Sequence, residues 1–308
     1  MRIAFLGTPE FALPSLRMLC HSGHTVAVFT QPDRPVGRHG TLTPPPVKQE
    51  AQKLGIPVFQ FEKIRRPEGV AALNDFAPDL MVTAAFGQLL SAENLAIPKY
   101  GCINVHGSLL PRYRGAAPIQ WAVIDGAPTT GITTMFTDIG VDTGDMLLRA
   151  ETAIDENETA GELYDRLAVL GADVLQRTLL ALENGTLVRT PQDEALSTKC
   201  PMLKKEHGKI DFSLTCRQVH NLVRGVNPWP GAYCTNEEAP LKIWKTHLTT
   251  DASIDAPIGT CSGDEKTGLF VQCADGKLEI IELQCSGGKR LNAKTFLRGK
   301  SMDGKVLS

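Results

Sequence analysis

Residues 104 to 106 read Asn-Val-His at the end of the apolar run GCINV, and the following GSLLPRYRGAAP carries no periodic pattern. Side chains two residues apart on a strand share a face. If the strand continues through 106, an amide and an imidazole therefore converge on one small group. Asn104 can donate to a carbonyl oxygen, and His106 can relay a proton or, when protonated, stabilise developing negative charge. A carboxylate to orient the imidazole has to come from elsewhere, and TDIGVDTGD offers Asp138, Asp142 and Asp145, spaced by Gly140 and Gly144. Asp142 lies between the two glycines, where a tight turn can present it, whereas Asp138 is nearer the strand-like GITTMFT. Amide, imidazole and carboxylate together suit attack on an acyl carbon. A histidine at a strand end is often only a hydrogen-bonded structural residue. The Gly/Pro-rich loop beside it and the Gly/Asp loop downstream weigh toward chemistry. The residues alone reach acyl or carbonyl transfer and leave the choice of carboxylate open.

Other chemistries find no support. The strand-like RIAFLG runs into Gly7-Thr8-Pro9-Glu10, which lacks the second and third glycines of a dinucleotide fingerprint, and Pro9 removes one backbone donor. No Gly-Lys-Ser/Thr loop for nucleotide phosphates is present. Gly7 then reads as a tight turn serving the fold. The eight cysteines are scattered and form no C-x-x-C pair, so free thiols are expected and no metal site.

The elements that must position these groups follow from the hydrophobic pattern. RIAFLG (2 to 7), HTVAVFT (24 to 30), DLMVTAAF (79 to 86) and GCINV (101 to 105) read as strands buried on both faces, with helical FALPSLRMLCHSG, VKQEAQKLG and PEGVAALNDFA between them. That alternation predicts an α/β, Rossmann-like, doubly wound open sheet with right-handed crossovers, whose ligands lie beyond the carboxyl ends of the strands. TAGELYDRLAVLGADVLQRTLLALENG predicts a long helix: Thr159 and Glu162 have capping-box spacing, Leu163, Leu167, Leu170, Val174 and Leu175 recur at helical intervals, and Gly185 stops it.

At 308 residues two domains are expected. The expected division is a catalytic domain over 1–189, a polar linker over 190–206, and a domain over 207–308 whose short alternating runs predict a small, OB-like β-barrel. Asp275-Gly276 marks a hairpin there, a helix is expected around SLTCRQVHNLVRG, and Trp229 and Trp244 read as barrel core. A hydrophobic fraction of 42%, a charged fraction of 21% and a net charge of −2 describe an ordinary globular protein and exclude a strongly basic nucleic-acid binder. Residues 207 to 308 nevertheless carry 13 Lys+Arg against 11 Asp+Glu, a sign that favours holding a polyanion. There is no signal-like amino terminus and no apolar run of about 18 residues. A cytoplasmic, monomeric protein without membrane contact is the expectation.

NVHGSLLPRYRGAAPIQ (104 to 120), TQPDRPVGR (30 to 38), GVDTGDML (140 to 147), VNPWPGAY (226 to 233) and LKIWK (241 to 245) resemble the motifs of the methionyl-tRNA formyltransferases. The resemblance covers nearly the whole chain, and its SLLPRYRGAAPIQ block is that of folate-dependent formyltransferases. It implies transfer of a formyl group from 10-formyltetrahydrofolate to the α-amino group of methionine on initiator tRNA, with no metal. The family's catalytic Asn, His and Asp match Asn104, His106 and Asp142. Its folate-contacting loop matches Ser108, Leu109, Leu110 and Pro111, and its pterin pocket matches the backbone of Phe86, Gly87, Gln88 and Leu89 with the loop from Asp138 to Asp142. Its tRNA-contacting loop matches QPDRPVGRHGTLTPPP, with Arg38 carried over. HGTLTP stands where many members have consecutive lysines, a departure that bears on loop affinity and not on the reaction. Lys204, Lys205 and Lys209 are the candidate phosphate contacts near the linker. Lys289, Arg290, Lys294, Arg298 and Lys300 are those near the end. The competing readings are a folate-dependent formyltransferase acting on a small amine, a formyl-folate hydrolase, and a tRNA-binding protein without chemistry.

Overall fold

The computed structural model describes residues 1–37, 40–250 and 252–308, which divide into two compact units. The first comprises Met1–Gly115, Thr130–Thr152 and Tyr164–Lys199. Its sheet contains β1 (Arg2–Gly7), β2 (Thr25–Thr30), β3 (Val58–Gln60), β4 (Leu80–Ala84), β5 (Cys102–His106), β6 (Thr129–Phe136) and β7 (Met146–Ala153). Across the sheet the order is β7-β6-β5-β4-β1-β2-β3. The strands from β3 to β5 are parallel, and β5 meets β6 antiparallel. The chain enters at β1, winds outward to β3, then returns to the other side of β1. This is the doubly wound order, with its reversal between β1 and β4.

Burial explains the pattern. Ile3 and Phe5 face one way, Ala4 and Leu6 the other, and all four are fully buried, as expected of a strand covered on both faces. Ala4, Leu6, Ala27, Phe29, Met81 and Cys102 share one core with Ile64, Leu73 and Phe86. The helices Leu13–His21, Pro46–Lys53 and Pro67–Phe76 fall where the sequence predicts them, each with proline in its first turn. β7 alternates between partly buried and exposed positions along its outer half, the signature of an edge strand with one wet face. The segment after β2 is not irregular throughout, because Arg34–Val36 and Thr41–Thr43 pair as an antiparallel ribbon. Arg38 lies outside the described residues.

The helix Ala160–Glu183 has the predicted ends. Thr159 N and Oγ1 each donate to Glu162 Oε2 at 2.8 Å, and Glu162 N donates to Thr159 Oγ1 at 3.2 Å. Gly185, at φ +67, donates to Leu182 O while Thr186 donates to Ala181 O, which is the paired C-terminal bond set that a left-handed glycine permits.

The second unit comprises Ala116–Thr129, Ala153–Leu163 and Cys200–Ser308. Its strands are β8 (Ala232–Asn236), β9 (Ala239–Leu248), β10 (Cys261–Ser262), β11 (Leu269–Cys273), β12 (Gly276–Cys285) and β13 (Leu291–Asn292). They form an antiparallel sheet in the order β8-β9-β12-β11-β10, with β13 beside β12. The carboxyl-terminal tail closes it into a barrel. Thr235 and Ser308 exchange backbone bonds at 2.6 and 3.1 Å, while Leu307 N donates to Gly259 O and Cys261 N to Lys305 O on the other side. The tail thus satisfies both sheet edges.

Three expectations change. The segments 116–129 and 153–163, expected within the catalytic domain, group with the barrel rather than with the sheet. There the helix Pro118–Ile124 approaches the helix Cys216–Gly225 so closely that a Cβ on Gly225 would lie 3.0 Å from Ile124 N. The stretch 190–206, expected to be a linker, is bound down in its first half: Thr190 bridges Met146, and Thr198 takes bonds from the amides of Tyr113 and Arg114. Its polar groups find partners in distant segments, which local periodicity cannot reveal. Neither tryptophan is barrel core. Trp229 is 55% exposed, and Trp244 lies half-buried with Lys242 Nζ 5.0 Å and Arg290 Cζ 4.9 Å from its ring centroid. Leu241 and Ile243 already fill the inner face of β9, so the next residue points outward.

Candidate active site

β5 carries Cys102, Asn104 and His106 on one face and the buried Ile103 and Val105 on the other. Register sets the neighbours: Asn104 stands opposite Thr83 of β4 and Met135 of β6, and His106 opposite Thr133. Thr83 Oγ1 donates to Asn104 Oδ1 at 2.8 Å, which turns the amide so that Nδ2 is the group presented. That Nδ2 reaches Asp142 Oδ1 at 3.5 Å.

His106 is buried, with both ring nitrogens engaged. Nε2 lies 2.9 Å from Tyr113 O, and since a carbonyl only accepts, Nε2 carries a proton. Nδ1 then faces Asp142 Oδ2 at 3.6 Å. The sequence reading has His106 relay a proton or, when protonated, stabilise negative charge; as seated, its Nε2 is held by Tyr113 O and its Nδ1 is the nitrogen turned toward Asp142.

The loop 137–145 separates the three candidate carboxylates. Asp138 is exposed and accepts from Gly140 N at 3.0 Å and from Thr143 Oγ1 at 2.7 Å, which makes it the brace of its own turn. Asp145 pairs with Arg189 at 2.9 Å. Asp142 alone reaches Asn104 and His106, and Gly115 N donates to its Oδ2 at 2.9 Å. Asp142 sits at φ +53, a left-handed conformation that Asp tolerates better than most residues. Gly144 is obligatory nearby, because a Cβ there would lie 1.9 Å from Phe136 O.

The residues carried over for folate divide into wall and support. Ser108 and Leu110 are buried: Ser108 Oγ donates to Arg112 O at 2.7 Å, and Leu110 packs with Met135 and Met146. Leu109 and Pro111 are partly open. Phe86 belongs to the sheet core, and Gln88 is tied at both ends of its amide, to Ile64 N and Phe61 O. Leu89 is exposed. Gln31 Nε2 donates to the carbonyls of Phe86 and Gly87 at 3.2 and 3.1 Å. Gly87 lies at φ +76, where a side chain is strained, and a Cβ there would lie 2.7 Å from Gln31 Nε2. Asp138 is not brought to Asn104 and His106.

Lys204, Lys205 and Lys209 are exposed on the second unit, around the single turn Lys205–Gly208. Lys289, Arg298 and Lys300 are exposed as well. Arg290 pairs with Glu282 at 2.6 Å, and Lys294 Nζ donates to Lys266 O. Among the described residues no group of three or more His, Cys, Asp or Glu could hold a metal ion, and no helix is long and apolar enough to cross a membrane.

Sequence reasoning missed two contributors. Thr83 had a signal, a hydroxyl inside an otherwise apolar run. Gln192 had none: its Nε2 donates to the carbonyls of Asp142 and Gly144 at 2.9 and 2.8 Å from a stretch read as linker.

Comparisons with known proteins show the family to which the chain belongs. Residues 1–179 match the family model of the formyl transferases, and residues 202–301 match that of the formyl transferase C-terminal domain. The methionyl-tRNA formyltransferase of Ruminiclostridium cellulolyticum is 52% identical over 98% of this chain and 98% of its own length. That of Geobacter metallireducens is 51% identical over 97% of this chain and 96% of its own. Among solved structures, WlaRD, a sugar 3N-formyl transferase, matches with a TM-score of 0.70 at 19% identity, covering 92% of this chain and 97% of that one. The N-formyltransferase from Helicobacter canadensis matches with a TM-score of 0.69 at 20% identity, covering 91% and 98%. At these identities the structural likeness is one of fold. Models matching both parts of the chain, and full-length relatives identical at about half their positions, show that the chain belongs to the formyl transferase family.

Proposed function

We propose that this protein transfers the formyl group of 10-formyltetrahydrofolate to the α-amino group of methionine on initiator tRNA. The observation that carries the reading is the convergence of Asn104, His106 and Asp142 at the carboxyl end of β5, with 3.5 and 3.6 Å separating Asp142 from the other two. Full-length relatives named for this activity support it over a small amine as acceptor.

The folate supplies an electrophilic formyl carbon, and its pterin edge bears several donors and acceptors. The turn 86–89 fits such an edge: Phe86 is used in packing and Gln88 in bracing, and among the described residues no acceptor takes the amides of Gly87, Gln88 or Leu89. Leu109 and Pro111 would form the adjoining wall.

The incoming α-ammonium must lose a proton before it attacks, and negative charge then develops on the formyl oxygen. Asn104 Nδ2, aimed by Thr83, is the donor for that oxygen. Removing one such donor typically costs about 2.7 to 4 kcal/mol of transition-state stabilisation. Asp142 takes the amine proton, directly or through water. Because Nε2 holds its proton on Tyr113 O, Nδ1 is the nitrogen able to accept the next one from Asp142, across a gap that must close in the reacting complex. Protonated His106 then adds positive charge beside the site; as the tetrahedral intermediate collapses, the bond between the formyl carbon and the folate nitrogen breaks and the proton returns through Asp142 to that nitrogen, releasing tetrahydrofolate.

The acceptor is held by phosphate contacts from Lys204, Lys205 and Lys209, and Arg38 is carried over as a contact from the family's tRNA-contacting loop. Such a grip weakens as salt rises. The eight free thiols suit a reducing cytoplasm, and the reading takes the protein as a monomer there. The test is to supply 10-formyltetrahydrofolate with either charged initiator tRNA or small amines and follow the formyl group. Formylated tRNA is expected; a formylated small amine, or free formate alone, refutes the proposal.

A further inference from the structure

The loop that carries Asp142 has little apolar packing to hold it. Ile139 and Val141, the large apolar side chains beside it, are 82% and 56% exposed. The direction of the Asp142 carboxylate therefore depends on hydrogen bonds. Beside Asn104 Nδ2, those that hold it come from two segments, 113–115 and 192–198.

Gln192 bridges the residue at φ +53 from outside: its Nε2 donates to Asp142 O at 2.9 Å and to Gly144 O at 2.8 Å. Its Oε1 accepts from Arg114 Nε at 2.9 Å, so the amide cannot turn over without losing all three bonds. Arg114 is 5% exposed, and its other guanidinium nitrogens bind Glu194 at 2.8 and 3.0 Å. Its backbone neighbours do the rest, since Tyr113 O holds His106 Nε2 and Gly115 N holds Asp142 Oδ2. Thr198 fixes this stretch through Tyr113 N and Arg114 N, both at 2.8 Å.

We propose that Gln192, braced by Arg114, is a positioning residue that sets the Asp142 carboxylate against His106 and Asn104 for proton transfer. The proposal rests on the reading of Asp142 as proton acceptor. A misplacement of about 1 Å can cost on the order of 100-fold in rate, so the strap has kinetic consequence although it touches no substrate.

Gln192→Glu keeps the acceptor toward Arg114 and removes both donors toward the loop carbonyls; Gln192→Leu removes all three bonds. Both are compared with Asp142→Asn in steady-state formylation of initiator tRNA and in thermal melting. The expected result is kcat lower by about 10- to 100-fold in both Gln192 variants. KM for folate and tRNA should stay at parental values, as should the melting temperature. Parental kcat in both, with Asp142→Asn inactive, overturns this inference and leaves the functional reading standing. Active Asp142→Asn overturns the functional reading and this inference with it. A fall in melting temperature with KM rising alongside makes Gln192 a structural residue and also overturns it.

Discussion

Replacing Asp142 by Asn separates the chemistry from the fold. Asn occupies the left-handed region as readily as Asp, so the backbone at φ +53 is kept. The amide oxygen can still accept from Gly115 N, now at 2.9 Å from the carboxylate. What disappears is a negative charge 3.6 Å from His106 Nδ1 and the ability to accept a proton. Two unit charges about 4 Å apart interact by roughly 1 kcal/mol in water and roughly 4 kcal/mol at an effective dielectric of about 20. Loss of general acid–base assistance costs about 100- to 10,000-fold, or roughly 2.7 to 5.4 kcal/mol. The ranges overlap near 3 to 4 kcal/mol, which predicts turnover lower by about 100- to 1,000-fold. Single-turnover formylation of charged initiator tRNA at saturating folate measures this directly, with folate KM as the control for binding. Turnover within about tenfold of the parent, below the smallest loss that general acid–base catalysis normally represents, would refute the assignment of Asp142.

Further outcomes follow from other contacts. Burial pushes the His220 imidazole below its ordinary value, against the upward pull of its bond to Glu156 O. The unfolded chain then binds a proton near pH 6.5 that the folded chain resists, so stability held above that pH is lost as pH falls through it. Melting temperature should drop between pH 7.5 and 5.5, and His220→Gln should flatten that slope; an unchanged slope would count against it. Gly144→Ala places a Cβ 1.9 Å from Phe136 O. A destabilisation of about 1 to 3 kcal/mol is expected in urea melts, with reduced turnover because Asp142 shares the loop, and a stable, fully active variant would contradict it. Lys204→Ala and Lys205→Ala should weaken tRNA binding and make it less salt-dependent. Salt slopes equal to the parent's would remove these lysines from the interface.

Several features could be read without coordinates because they depend on short, fixed repeats. The period of two put Asn104 and His106 on one face, and continuous apolar runs marked the strands buried on both sides. The three-residue spacing of Thr159 and Glu162 marked a helix start that the structure reproduces with its reciprocal bonds. The two tryptophans were misread because composition says that they are large and apolar, while the inner face of β9 was already filled.

The amino-acid sequence alone therefore determined the doubly wound order, the barrel, and the amide–imidazole pair. Each follows from local periodicity and turn chemistry, which are the same wherever the segment is placed. Only the tertiary structure decided which partner each polar group meets. Asp142 is the carboxylate at the site because its turn places it within reach of β5, 36 residues upstream of it at His106, while Asp138 and Asp145 are taken by Thr143 and Arg189. Gln192 and Thr198 reach the site from a stretch with no pattern, and the last residues of the chain close the barrel across both edges. These contacts are set by sheet register and by packing between distant segments, and a hydrogen-bond partner chosen that way leaves no repeat in the sequence.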